Sequence, residues 1–341
     1  MLRSLLVFLL GLSLLGCAGD EPVGESDAPP KVGVSIPTAT HGWPAGVGYW
    51  AQETIDAYPD IEWTYQKADS AEKQSAQIDA MVEAGVQTLV VLPMNSDTLL
   101  PALRRAKDRG VYIVSVDRGL SDPIADLYVA GDNARFGQVA AEFMAEQLNG
   151  TGKIVVLRGM TVEIDNERFS AFEEEIGKHA GIEILDVQHG EWNREKSYNV
   201  FAAMLQQHPE IDAVWASDDD MALGVEKALN EAGRTEEMWI LGGAGMKDIV
   251  KRVRDGDRLF PANVTYPPGM IAAGIHLGAA HATGQPETAV ADAIPDHLNL
   301  DTTQLSDEPT STGGDQRDVR IGIQLVTPEN AEQFYFPDSV Y

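Results

Sequence analysis

Thr88-Leu89-Val90-Val91-Leu92 and, one helical stretch later, Tyr112-Ile113-Val114-Ser115-Val116 decide the fold. Each run is apolar at nearly every position, whereas a strand with one wet face would alternate. Such strands are buried on both faces, as in a parallel sheet covered by helices. Between them, Asp97 can start a helix that Gly110 stops. The same alternation extends outward. Val32 to Ile36 and Ile61 to Tyr65 are candidate strands upstream, and Leu127 to Ala130 follows downstream. A second series comprises Lys153 to Leu157, Glu183 to Val187, Ala213 to Ala216 and Trp239 to Leu241. Strands alternating with amphipathic helices predict α/β architecture, and two successive series predict two lobes.

The helices have legible ends and faces. Ser70 can cap one whose apolar face includes Ile78, Met81 and Val82, with Gly85 placed for a left-handed C-terminal residue. Phe136, Val139, Phe143, Met144 and Leu148 recur at helical spacing and read as core, as do Tyr198, Phe201 and Leu205.

Residues 1–16 read as a signal peptide. Arg3 supplies the positive end, and Leu5 to Leu15 is too short to cross a bilayer unaided. Leu14-Leu15-Gly16-Cys17 resembles the bacterial lipobox, which implies that Cys17, the only cysteine of the chain, becomes an acylated N-terminus. A lone cysteine excludes a disulfide framework and a cysteine-based zinc site. Residues 17–30, rich in Gly, Pro, Asp, Glu and Ser, read as a flexible tether. The roughly 310 residues that remain exceed the size at which a single core usually keeps growing.

The formal net charge is -28, with no basic stripe to face phosphates, which excludes a nucleic-acid partner. The acidity is a surface property that favours solubility. No strand is followed by G-x-G-x-x-G, a P-loop lysine or G-x-S-x-G, and H-E-x-x-H is absent, so the chain carries none of these enzyme signatures.

Ligands of open parallel sheets bind beyond the carboxyl ends of the strands. Polar and aromatic residues gather there: His41 with Trp43, Asp117 with Arg118, Asp132 with Asn133, then Arg168, Trp192, and Asp218 with Asp219. On these residues the chain resembles the ribose-binding and related sugar-binding proteins of bacterial ABC importers, the type I periplasmic binding proteins. Val32-Gly33-Val34-Ser35 resembles the opening strand, and Thr40-His41-Gly42-Trp43 the loop that places an aromatic over the ligand. Ser115-Val116-Asp117-Arg118 resembles the Asp-Arg pair after the fourth strand, and Ala130-Gly131-Asp132-Asn133 the first crossing between lobes. Arg168, four residues before Phe172, stands at the position of the ligand-binding arginine. Trp192-Asn193-Arg194 is similar to the closing aromatic, and Ala216-Ser217-Asp218-Asp219-Asp220-Met221-Ala222 to the run that carries an Asn or Asp ligand before a helix.

The resemblance implies two Rossmann-like lobes, each a parallel sheet flanked by helices, joined by a three-strand hinge near Gly131 to Asn133, Thr265 to Pro267 and Asp318 to Ile323. Residues 31–131 with 267–318 would form the N-terminal lobe and 132–266 with 319–341 the C-terminal lobe. It implies a monomeric, membrane-tethered extracytoplasmic lipoprotein that hands a small sugar or polyol to a transporter permease, with no catalytic residue, cofactor or metal. The expected ligand set is His41, Trp43, Asp117, Arg118, Asn133, Arg168, Trp192, Asp218 and Thr265. Carboxylates, guanidinium groups and flat aromatics suit a sugar, whose hydroxyls both donate and accept and whose C–H faces are apolar.

The blander alternatives are a strand-end salt bridge for Asp117 with Arg118, an exposed helix charge for Arg168, core packing for Trp192 and a loop-holding role for His41. Asp218, Asp219 and Asp220 are also conceivable as a metal cluster, although adjacent side chains diverge. Three rival functions stand beside transport: an enzyme, a sugar-responsive repressor, and a sensor presenting a sugar-like signal to a membrane receptor or kinase. An export signal occupies the place where a repressor carries its DNA-binding helices.

The chain also departs from the family pattern. Gly242-Gly243-Ala244-Gly245 stands where an aromatic and an Asp are expected, which predicts a different or bulkier ligand. Thr265, beside Tyr266, falls where a glutamine is expected. Pro286 to Asp318 is longer than the corresponding stretch and reads as a solvated excursion.

Overall fold

The computed structural model describes residues 28–40 and 42–341. The proposed signal segment, Cys17, most of the tether and His41 lie outside the described residues. In chain order the strands are β1 (Lys31–Pro37), β2 (Glu62–Ala68), β3 (Thr88–Val91), β4 (Tyr112–Val116), β5 (Leu127–Gly131), β6 (Thr151–Arg158), β7 (Gly181–His189), β8 (Ala213–Ala216), β9 (Trp239–Ala244), β10 (Asn263–Thr265), β11 (Arg317–Ile321) and β12 (Leu325–Val326). The helices are α1 (Gly42–Asp56), α2 (Ala71–Glu83), α3 (Ser96–Asp108), α4 (Asn133–Gln147), α5 (Glu163–Ile176), α6 (Arg194–Gln207), α7 (Asp219–Ala232), α8 (Lys247–Arg254) and α9 (Met270–Ala282).

The strands form two six-stranded sheets, ordered β11-β5-β4-β3-β1-β2 and β12-β10-β9-β8-β6-β7. All pairings are parallel except β10 with β12. β3 and β4 are buried along their whole length, as their unbroken apolarity requires. Each sheet is flanked by helices, so the two-lobed α/β expectation holds. β4 and β8 match their predicted spans. β10, β11 and β12 were legible only as crossings, because two or three residues carry no periodic signal in β10 and β12 and the five of β11 are mostly charged.

The chain passes between the sheets three times: from β5 into α4, from β10 into α9, and from β11 into β12. The third passage falls after Ile321, because Val319, Arg320 and Ile321 still pair with Val129, Ala130 and Gly131 of β5. The boundary placed between 318 and 319 is therefore corrected to the segment after Ile321.

The helix signals resolve with one change. Ser70 accepts from the Lys73 N–H at 3.2 Å, as its position predicts. The start expected at Asp97 moves upstream, where Asn95 accepts from the Thr98 N–H at 2.9 Å and Asp97 sits in the first turn. Phe136, Val139, Phe143 and Met144 are buried, so that stripe is core.

Only the later part of the stretch from Pro286 to Asp318 is the solvated excursion expected, residues 307–315 being largely exposed, whereas the part before it packs. Three short 3₁₀ turns bury Val290, Ile294, Leu298 and Leu305 in the main core, and buried Glu287 pairs with Arg317. Within it, the Gln304 side chain accepts from the Arg320 N–H at 2.8 Å and donates to the Arg320 carbonyl at 3.1 Å. One amide thereby satisfies both backbone groups of a residue on the outer strand β11.

In the second lobe, helices approach through glycine. A Cβ on Gly137 of α4 would collide with the Arg168 carbonyl oxygen of α5, and one on Gly224 of α7 with the Arg194 carbonyl oxygen of α6. Backbone cannot step aside as a side chain can. Gly137→Ala is expected to destabilise the fold by about 3 kcal/mol, lowering the midpoint of urea unfolding, and to displace Arg168.

Candidate ligand-binding cleft

A cavity of about 330 Å³ lies beyond the carboxyl ends of both sheets. Ala39, Gly42, Trp43, Pro44, Asp117 and Arg118 line it from the first lobe; Met160, Ile164, Arg168, Glu191, Trp192, Asp218, Asp220 and Ala244 from the second; Tyr266 comes from a crossing segment. Nine of these fifteen residues end a strand or fall within three residues after one, the position the topology reserves for ligands.

Asp117 follows β4 with φ +65° and its carboxylate buried. It accepts from the Tyr266 hydroxyl at 2.9 Å, and Arg118 Nε lies 3.9 Å from its other oxygen. Burial pushes its carboxyl above the ordinary range, opposed by Arg118, the Tyr266 hydroxyl and Arg168. Arg118 itself is anchored on the Met94 and Pro93 carbonyls at 2.8 and 3.3 Å.

Arg168 is buried, its guanidinium carbon 4.4 Å from the Phe136 ring centroid and 4.2 Å from that of Tyr266. Its Nε donates to Asn133 Oδ1 at 2.9 Å. Asp218 caps α7 by accepting from the Met221 N–H at 3.2 Å. Burial, then neighbouring Asp220, pushes its carboxyl up to about 7, opposed by the Met221 N–H and Arg168. Asp219 points away from the cavity, accepting from the Met246 N–H at 2.7 Å and Asn263 Nδ2 at 2.6 Å, and burial raises it well above the ordinary value. Among the described residues no group of three or more His, Cys, Asp or Glu is arranged to hold a metal ion.

Trp43 donates its indole N–H to the Tyr266 carbonyl at 2.7 Å. Trp192 lies so close over Gly159 that a Cβ there would collide with the indole. Of the six non-glycine residues with positive φ among the described residues, Asp117, Glu191, Trp192 and Ala244 all line this cavity. Such conformations cost of order 1–3 kcal/mol each and cluster at functional sites.

The cavity thus brings together Trp43, Asp117, Arg118, Arg168, Trp192 and Asp218 from the predicted set. Two members stand elsewhere. Asn133 holds Arg168 from behind, and Thr265 faces away, its hydroxyl accepting from the Gln324 N–H at 2.9 Å. Tyr266, one residue on, lines the cavity instead; adjacent side chains of an extended segment point to opposite sides. Tyr266, Asp220, Met160 and Ile164 line the cavity without belonging to the expected ligand set. Gly242 and Gly243 do not open room for a bulkier ligand, because Asp219 and the Phe136 ring occupy the space their side chains would take.

Two α/β lobes around a shared cavity of charged and aromatic groups define a two-lobed solute-binding protein. The chain belongs to the periplasmic binding protein domain family, whose model matches residues 32–286. It is 29% identical over 254 residues to the xylitol-binding protein of Mycolicibacterium smegmatis, covering 73% of this chain and 71% of that one. It is 30% identical over 261 residues to the galactofuranose-binding protein of Escherichia coli, covering 71% and 79%. The fold matches an ABC transporter solute-binding protein of Bacillus halodurans solved with bound myo-inositol, with TM-score 0.75 and 22% identity over 93% of this chain and 100% of that one. Membership of this family makes the protein a binder rather than an enzyme.

Between pH 3.8 and about 7 the folded state keeps an Asp218 proton that the unfolded chain has released. The contribution of this group to stability is therefore fully present at low pH and falls as pH rises through that window, by at most about 1.4 kcal/mol per pH unit. Asp218→Asn keeps the cap and removes the titration. Urea unfolding across the window should show the variant gaining on the native chain up to about pH 7 and the difference levelling above it.

Proposed function

We propose that the protein is exported, anchored by a lipid on Cys17, and binds a neutral sugar or polyol between its lobes for delivery to the permease of an ABC transporter. The observation that carries the choice of ligand is the charge balance of the cleft. Asp117 faces Arg118, Arg168 acts on both Asp117 and Asp218, Asp220 pairs with Arg194 at 2.5 Å, and Glu191 pairs with Lys196 at 2.5 Å. Each acidic residue of the lining thus has a cationic neighbour, so a strongly anionic ligand meets a carboxyl group beside every guanidinium and a strongly cationic one meets acids that are already partnered. The names of the relatives support this, since xylitol, galactofuranose and myo-inositol are all uncharged and polyhydroxylated.

In this reading Asp117 and Asp218 accept from hydroxyls, Arg118 and Arg168 donate, and Trp43 and Trp192 cover the C–H faces of the ligand. Hydrogen bonds to charged groups contribute about 1.5–3 kcal/mol each, and a micromolar complex requires about 8 kcal/mol net. Three or four such bonds with two aromatic contacts suffice after the costs of association. The three crossing segments act as the hinge, and ligand favours the closed form only by its differential affinity for it.

A thermal-shift screen of sugars and polyols tests the reading, since ligand at 100 times its Kd stabilises by about 2.7 kcal/mol; silence from every carbohydrate overturns it. For a hit, Asp117→Asn is expected to weaken affinity roughly 10- to 100-fold by calorimetry. Asn suits the positive φ of this position, which an alanine would strain. The lipid anchor has its own test: Cys17→Ser should abolish labelling by radioactive palmitate and move the protein from the membrane to the soluble fraction.

A further inference from the structure

The cavity joins a buried polar set to a partly exposed apolar pair. Asp117, Arg168, Asp218 and Tyr266 are buried and polar and form its floor. Met160 and Ile164, which carry no group able to bond a hydroxyl, line its rim on the second lobe. Met160 is 44% exposed and Val162 is 39% exposed; with Val340 they are the exposed large apolar side chains among the described residues. A tight turn presents the rim, the Val162 N–H donating to the Met160 carbonyl at 2.8 Å. Val162 also occupies the N-cap of α5, where it offers no side-chain hydrogen bond and where Asn, Asp, Ser or Thr would stabilise the helix. Solubility argues against leaving Met160 exposed beside Val162, so the apolar rim has another use.

We propose that the ligand carries an apolar substituent beside its polyhydroxylated head, the head on the charged floor and the substituent against Met160 and Ile164. The inference rests on the sugar or polyol reading above and narrows it to glycosides with an alkyl or aryl group. A bare sugar does not account for the rim. Its C–H faces are covered by Trp43 and Trp192, and neither Met160 nor Ile164 offers a hydroxyl a hydrogen-bond partner. A methionine rim adapts to substituents of different shape. The rim is continuous with the cleft, which distinguishes it from an isolated surface patch.

Calorimetry on the purified full chain tests this with matched sets: D-ribose, D-galactose and L-arabinose, each beside its methyl and phenyl glycosides. At least one glycoside is expected to bind tenfold or more tightly than its parent sugar. Met160→Asn and Ile164→Asn are each expected to bring the ratio of glycoside to parent affinity close to one, whatever the change in parent affinity itself; Met160 is exposed enough for its replacement to fold. Parent sugars binding as tightly as every glycoside, or a gain that survives both substitutions, would overturn the inference while leaving the sugar reading intact, and would assign the rim to a docking protein. Binding of no parent sugar and no glycoside would remove the sugar reading and this inference together.

Discussion

The guanidinium of Arg168, buried between the rings of Phe136 and Tyr266, connects the parts of the site that come from separate lobes. Burying a charge costs several kcal/mol unless its surroundings compensate, and two aromatic faces with a carbonyl acceptor from Asn133 do so here. Tyr266 extends the connection, because its hydroxyl donates to Asp117 in the first lobe while its ring faces Arg168 in the second. Gly131 is part of the same construction, since any side chain there would strike the Tyr266 ring. A crossing residue thereby touches both halves of the cleft at once.

Much of this was legible in the residues. Unbroken apolar runs such as Thr88 to Leu92 announce strands covered on both faces, and several of the residues that follow such strands line one cavity. Trp43, Asp117, Arg118, Arg168, Trp192 and Asp218, scattered over most of the chain, do converge on one cavity. Residue type reports what a group can do, but not which way an extended segment is turned. That is why Thr265 was expected where Tyr266 stands, and why Asn133 supports the arginine rather than facing the cavity. Nor does composition reveal whether an insertion packs: the Gly, Ser, Thr and Asp content of Pro286 to Asp318 conceals four buried aliphatic residues.

Backbone conformation supplies a signal that residue types lack. Asp117, Glu191, Trp192 and Ala244 all adopt positive φ around the cavity, although three of them are residues that seldom do so. In the second lobe α4 packs on α5 at Gly137, and α6 on α7 at Gly224, too closely to admit a side chain. Close packing of this kind limits how far Arg168 and its helix can shift, which favours a preorganised site.

The bracketing of Arg320 by a single glutamine has a consequence away from the cleft. The outermost strand of a sheet is a template on which another chain can add a strand, beginning wherever a donor and an acceptor stand free together. At Arg320 both are taken by Gln304. The folded-over insertion therefore removes a starting point for edge-to-edge pairing on β11, guarding against aggregation by occupying the template rather than by adding charge.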